Sequence, residues 1–483
     1  MMEKKNIGVV SIGTRGDFQP FIAFALALQE RLPESQVYLI SNSIYDQVAA
    51  QIIHGRKSKL LFRGLSGNPR ETLDHPETKK ALKTGDLSKL ELNKPTEDLI
   101  KKCMVDLIDL SVNQIKFDWF ISAPMTFPVV WMLSEKFEIP IDCIALVPDA
   151  PTEDFPFCVV SASSLGAEQN LATYEMIYSV GFQMMQHLFN EQRELLGLPK
   201  MTQSWNSMRE KLNMPLLFAC SKHCFDNQKP SKYRDNVELT GYLELKSEGE
   251  SLSQELEEFL QVGQAPIFLS FGSMPALDPF QLFELAHDVL VKHDSKRVVL
   301  SCGWTNIDSI FTDLKEHKYE QEQSTTFSEE ESTKYESILS NMRDLITEKR
   351  LLIIKEAPYY LLFPNCAAIA HHCGAGTTGA AVVAGTPHLP IPIFLDQPFW
   401  GQRMFDLGVG SSPILFKDLT SDKLNEAVSY VLDGEKSESI RNKALEIKEL
   451  IERDEADPCE INVNICLKNY CNHPFIVPKQ ELE

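Results

Sequence analysis

Two series of short apolar runs, each run followed by a turn and a helix-patterned segment, constrain this chain more than any other feature of its sequence. The first series opens with an apolar run at 7–12, a glycine-bearing turn, a helix pattern over 20–31 and a second apolar run at 37–41. Strand, helix, strand in that order predicts a parallel sheet with crossover helices, because parallel neighbours need a connection long enough to return to the same end. The alternation continues at 117–122, 132–137 and 141–147, punctuated by Asp118 and Pro140. Residues 55–100 are polar and rich in Lys, Gly and Pro, which predicts loops and short helices at the sheet rim. The pattern over 171–196 predicts a long helix ending at Gly197, a residue suited to a C-terminal cap.

The second series follows a polar stretch, 246–264, whose beginning reads as an interdomain linker and whose end reads as a short helix. Strands are predicted at 267–271, 298–302, 351–354, 367–371 and 388–392, each short and continuously apolar, as strands covered on both faces are. The hydrophilic segment 308–349 predicts an insertion that is mobile or only partly helical. An amphipathic pattern runs from 419 to about 453, and the tail 462–483 is expected to cross back to the first half. A chain of 483 residues exceeds what one core organises. The expected division is therefore 1–245, 246–461 and the tail 462–483, an α/β architecture without solenoid repeats.

Charge narrows the function. A net charge of −21 repels nucleic acid and anionic headgroups, so neither is an expected partner. Eleven cysteines without a CxxC pair read as reduced thiols in a cytoplasmic protein rather than as a bridged framework or a zinc site. The apolar stretch before Arg15 and Asp17 is too short for a signal-peptide core. Asp118, Pro124 and Pro128 break the most apolar window, which falls short of the roughly 20 residues of a membrane span. Contact with a membrane, if any, is expected to be peripheral.

The chemistry concentrates in His371-His372-Cys373-Gly374-Ala375-Gly376-Thr377-Thr378-Gly379, between an apolar run and a helix-like one. A strand that ends in glycines and opens a helix presents free backbone N–H groups and the positive end of the helix dipole, and a diphosphate fits there. An imidazole at His372 is able to bond a phosphate oxygen and offset leaving-group charge. A single glycine pair would mean no more than a tight turn beside a packed histidine; the whole cluster at a strand-to-helix junction favours phosphate. Asp396 and Gln397, at the carboxyl end of an apolar strand, combine acceptors with two donors and suit adjacent sugar hydroxyls. Their blander reading is a loop capped by Asp with Gln in solvent. Asp17, in the turn after the first strand, suits a general base, yet it also suits a helix N-cap, and position alone leaves both open.

The run 357–413, APYYLLFPNCAAIAHHCGAGTTGAAVVAGTPHLPIPIFLDQPFWGQRMFDLGVGSSP, resembles the donor-site signature of sterol glucosyltransferases and antibiotic-aglycone glycosyltransferases, members of the UDP-glycosyltransferase superfamily. Gly13-Thr14-Arg15-Gly16-Asp17, RELLGLP at 193–199 and Phe271-Gly272-Ser273-Met274 agree in the expected order. The resemblance implies the GT-B fold, two facing Rossmann-like domains with parallel sheets and a cleft between them. It implies inverting, metal-independent transfer of a hexose, commonly glucose from UDP-glucose as co-substrate and with no other cofactor, to a lipophilic hydroxyl such as a sterol's.

By the same resemblance His372, Gly374, Ala375, Gly376, Thr377 and Thr378 hold the diphosphate, with Gly272 and Ser273 beneath it. Asp396 and Gln397 bind the sugar, Trp304 and the backbone near Ala357 face the nucleoside, and Asp17 is the base. Two positions depart from the pattern: Tyr359 stands where a His is frequent, and Cys373 where a Gly is common, a change the loop accepts if that residue needs no positive φ. The aromatic and apolar residues of 174–189 suit either plain core or an acceptor pocket. A sugar-nucleotide epimerase and a non-catalytic protein of the same fold are the alternatives.

Overall fold

The computed structural model describes residues 4–84, 94–160, 164–225, 229–246, 250–272, 279–301, 329–472 and 474–479. Contacts divide the chain into two units: residues 1–78, 87–248 and 450–483 form the first, and 79–86 with 249–449 form the second. Residues 450–461, expected in the second domain, thus belong to the first unit.

The first unit is built on a seven-stranded parallel sheet of β1 (Asn6–Val10), β2 (Gln36–Asn42), β3 (Leu61–Leu65), β4 (Trp119–Ser122), β5 (Ile141–Ala145), β6 (Leu216–Phe218) and β7 (Val237–Leu239). Their order is β3-β2-β1-β4-β5-β6-β7. The direction of winding reverses between β1 and β4, which opens a crevice at the carboxyl ends of these two strands. Strand β3 corrects the expectation of loops and short helices over 55–100. Residues 132–137, the middle element of the alternation 117–147, lie in a helix that starts earlier, Phe127–Phe137.

The first helix, Arg15–Arg31, starts earlier than the pattern at 20–31 suggested. Thr14 caps it, and the carboxylate of Asp17, three residues on, accepts from the Thr14 N–H at 2.7 Å. That reciprocal cap sets the N-terminus. Pro20 lies inside the helix, where it leaves the Gly16 carbonyl without its intrahelical donor, a loss absorbed near the end of the helix. Phe18, Phe21 and Phe24 point the helix into the core, together with Val9, Leu39 and Trp119. Burial of each such ring stabilises the unit by about 1.5–3 kcal/mol.

The chain's C-terminal helix, Pro458–Asn472, packs on the helix Arg15–Arg31. Asn469 Nδ2 and Trp119 Nε1 both donate to Asp142, each at 2.9 Å, although burial still pushes that carboxyl up to about 6. Beyond the helix, Phe475 and Val477 bond by their backbones to Ile141 and to the Ser134 hydroxyl at 2.9 and 3.0 Å.

The second unit repeats the plan with β8 (Ile267–Ser270), β9 (Val298–Ser301), β10 (Leu351–Ile354), β11 (Ala368–His371) and β12 (His388–Pro390), in the parallel order β10-β9-β8-β11-β12. Its winding reverses between β8 and β11. Phe268, Val299, Phe363, Ile369 and Ala381 form its core. Of the predicted insertion 308–349, the part before residue 329 lies outside the described residues, and the rest is mainly the helix Glu329–Thr347.

Candidate active site

The reversal between β8 and β11 brings two sequence-distant loops together. Gly272 follows β8 and His372 follows β11, and the imidazole lies against both Gly272 and Gly374. A Cβ on Gly272 would stand 2.9 Å from His372 Cε1, and one on Gly374 2.6 Å from Nε2. Gly272 also has φ +58°, a backbone that favours glycine. Burial pushes the His372 imidazole down to about 4, so it is neutral at pH 7. Its Nδ1 is buried and has no hydrogen-bond partner among the described residues.

Gly374 caps the helix Ala375–Ala384, with Thr378 N–H bonding the Gly374 carbonyl at 2.9 Å. The N–H groups of Ala375, Gly376 and Thr377 precede that first bond and have no intrahelical acceptor. Three aligned donors, the positive end of the helix dipole and a neutral imidazole are chemically suited to an anion. Thr378 is fully buried, and its hydroxyl has no partner among the described residues. Ser273 lies outside the described residues.

Cys373 contradicts the condition set for it: its φ is +65°, so the loop does require a left-handed residue there. Its side chain is buried, and burial holds the thiol far above its ordinary range.

The strand next to β11 carries the second pair. Asp396 caps the helix Gln397–Asp406 with no bond from its side chain to the helix backbone. Gln397 is 5% exposed, which excludes the solvated reading. Its Oε1 accepts from the N–H groups of Ile393 and Phe394 at 2.9 and 3.1 Å. The expected mix of acceptors and donors is therefore reduced: Gln397 has its amide nitrogen to offer, and acceptors come from Asp396. Leu395, just before them, has φ +54° and is 52% exposed. A left-handed leucine costs about 1–2 kcal/mol, part of which glycine returns as unfolded-chain entropy. Leu395→Gly is expected to stabilise the protein by about 0.5 kcal/mol, a rise that thermal melting measures directly.

Ala357 occupies the loop after β10, also at the carboxyl edge of this sheet. Tyr359, in place of a histidine, stacks on Phe363 with centroids 4.3 Å apart and meets Phe268 edge-on at 5.6 Å. Trp304 lies outside the described residues.

In the first unit Asp17 stands at the reversal between β1 and β4. Gly13, with φ +138°, lets the carboxylate fold back on the turn; any Cβ there would collide with it. Asn42 Oδ1 accepts from the Gly13 N–H at 3.0 Å, and the Tyr45 hydroxyl donates to the Gly13 carbonyl at 3.1 Å, so the turn is braced from β2. Asp17 is both cap and half-buried acid, raised to about 6 by burial against the lowering bonds from Thr14. An acid in that range is ionised at neutral pH and basic enough to take a proton.

Beside this turn lies an apolar pocket that sequence patterning did not reveal. Ile12, Leu65, Ile100, Met104, Met125 and Phe189 are among its walls, and the space between them is about 10 Å³, room for about one water molecule. Of the helix residues 174–189, Phe189 reaches this wall, while Tyr174, Tyr178 and Phe182 are buried core. Among the described residues, no helix is long and apolar enough to cross a membrane.

Comparison with known proteins agrees with this fold. Residues 334–467 match the family model described as Erythromycin biosynthesis protein CIII-like, C-terminal domain. Two sterol 3-beta-glucosyltransferases of Arabidopsis thaliana are 25% and 27% identical over 93% and 92% of this chain. The chain spans 66% and 63% of their own lengths. The solved structure of a calicheamicin glycosyltransferase superposes with a TM-score of 0.63 at 12% identity, covering 98% of this chain and all of that one. The chain has the GT-B fold, is similar over most of its length to sterol glucosyltransferases, and over residues 334–467 is similar to the Erythromycin biosynthesis protein CIII-like C-terminal domain.

Proposed function

We propose that this chain transfers a hexose, glucose from UDP-glucose, with inversion and without a metal, to the hydroxyl of a lipophilic acceptor such as a sterol. One observation carries the reading: a neutral His372 with an unpartnered Nδ1 stands at the open N-terminus of the helix Ala375–Ala384. The leaving diphosphate gains charge as the glycosidic bond breaks. Donors already fixed at the N–H groups of Ala375, Gly376 and Thr377 stabilise that charge without reorganising. His372 adds a donor and takes up positive charge as the anion raises its pKa. Asp396 accepts from sugar hydroxyls while Gln397 donates to them, and the backbone near Ala357 faces the nucleoside.

Asp17 takes the proton of the acceptor hydroxyl as its oxygen attacks the anomeric carbon, and the bond to the diphosphate breaks on the opposite face. The apolar side chains next to Asp17 support a lipophilic acceptor by their character, offering dispersion and few polar partners, and such an acceptor has to part them to enter. The names of the sterol glucosyltransferase relatives support the same class. The ten described cysteines are all free, which supports a reducing, cytoplasmic setting. Acceptor uptake then takes place by peripheral contact with a membrane.

Incubation with a panel of nucleotide sugars and of sterols and lipid alcohols, followed by mass spectrometry and NMR of the product, tests this. The expected result is a β-glucoside formed from UDP-glucose at a rate unchanged by EDTA. Donor turnover that ignores every hydroxyl acceptor would favour an epimerase or hydrolase, and absence of any turnover would favour a non-catalytic protein.

A further inference from the structure

Directly beneath the donor loop lies a pair of histidines that the reaction above does not use. His371 ends β11 and His388 begins β12, and the register sets Ile369 opposite His388 and His371 opposite Pro390. The two histidines are thus diagonal neighbours on one face of the sheet. His371 Nε2 and His388 Nδ1 are 3.0 Å apart, and both residues are at most 1% exposed. His371 Nδ1 in turn accepts from the backbone N–H of Cys373 at 3.2 Å.

These contacts allow a single arrangement of protons. A backbone N–H only donates, so His371 Nδ1 is bare and its proton is on Nε2. That proton points at His388 Nδ1, which must therefore be the acceptor, leaving the His388 proton on Nε2. Burial keeps both rings neutral, His388 being pushed down to about 3.

We infer that His371 and His388 are positioning residues for the donor site, and that their shared proton arrangement holds the Cys373 turn on which His372 and the helix N-terminus depend. This rests on the donor-site reading above. Cys373 occupies left-handed backbone without being glycine, and its N–H points into the interior, where an unmatched donor is unfavourable. The His371 ring satisfies that N–H and so pins the strained residue. Residues on either side of it are the His372 imidazole and Gly374, whose spacing is already tight. A small rotation at Cys373 therefore moves the imidazole and the first helical N–H groups together. His388 acts one step further back, by fixing which nitrogen of His371 is bare.

Two variants separate positioning from bulk. His388→Asn keeps an acceptor oxygen close to the place of Nδ1, whereas His388→Leu fills the space and removes it. UDP titration by calorimetry, with thermal melting as the check on folding, is expected to show about tenfold weaker binding for His388→Leu and affinity within about threefold of wild type for His388→Asn. At saturating donor the turnover of His388→Leu is expected to fall as well, because the displaced groups also stabilise the leaving diphosphate, whereas His388→Asn is expected to keep most of its turnover. Histidine ¹⁵N spectra of the wild-type protein are expected to show His371 protonated on Nε2 and bare on Nδ1.

A folded His388→Leu protein with wild-type UDP affinity would overturn the inference, and so would a His371 protonated on Nδ1. If His388→Leu does not fold, the wild-type spectrum and the His388→Asn titration decide alone. A wild-type protein that binds no nucleotide would instead remove the donor-site reading, and the His371 tautomer would still report on the pair.

Discussion

Asp17→Asn is expected to lower transfer by about 10²–10⁴-fold while leaving UDP affinity and melting temperature near their wild-type values. The carboxylate has two duties that this substitution separates. As a cap it needs one oxygen to accept from the Thr14 N–H, and asparagine supplies that oxygen. As a base it needs a charge that receives the acceptor's proton, and asparagine has none. Stability follows the sign of the shift. The folded-state pKa, about 6, lies above the ordinary 3.8, so the protonated acid favours folding. That contribution is complete below about 3.8 and lost as pH rises through about 6, so at pH 7 the ionised group gives no net stabilisation for a neutral amide to forfeit. Rate follows the opposite sense: wild-type transfer should be flat above about 6 and fall tenfold per pH unit below it, as the base is protonated. A variant that keeps wild-type turnover would leave Asp17 as a cap alone.

The same residue shows where sequence patterning reads the fold and where it stops. Apolar runs announced β1, β2, β4, β5 and β8 to β12, because these strands are largely buried on both faces. Strand β3 is an edge strand with Leu61 exposed and Arg63 and Gly64 in its interior, so it has no such signature. Strands β6 and β7 are three residues each, too short for any period. The helix Arg15–Arg31 looked as if it began at Pro20 because Gly16 and Pro20 read as breakers; the Thr14-to-Asp17 spacing was the overriding cue.

At the site, a strand ending in glycine and opening a helix was legible as a strand-to-helix junction without any tertiary information. The partners of His371 were not, since they follow from the register of β11 against β12. Nor was the loss of Gln397 Oε1 to two backbone donors, which depends on how the loop after β12 closes.

Gly374→Ala is expected to weaken UDP binding by about 10–100-fold, the larger of the two effects on donor affinity proposed for this loop. Gly374 has φ −60° and ψ 144°, a conformation open to alanine, so backbone strain does not enter. What changes is space: the new methyl would lie 2.6 Å from His372 Nε2, inside any tolerable contact. The imidazole cannot retreat freely, because Gly272 borders it as well, and a Cβ there would already be 2.9 Å from Cε1. His372 must therefore swing away from the helix N-terminus, and its donor leaves the diphosphate with it. Losing a glycine cap for alanine costs about 0.5–1 kcal/mol of stability, too little to unfold the unit. Gly376→Ala provides the contrast: among the described residues nothing lies within 4 Å of its added methyl, and better helix propensity should raise stability by about 0.5 kcal/mol. If calorimetry finds Gly374→Ala binding UDP as tightly as wild type, His372 takes no part in holding the donor. The three N–H groups of Ala375, Gly376 and Thr377 would then have to hold the diphosphate without it.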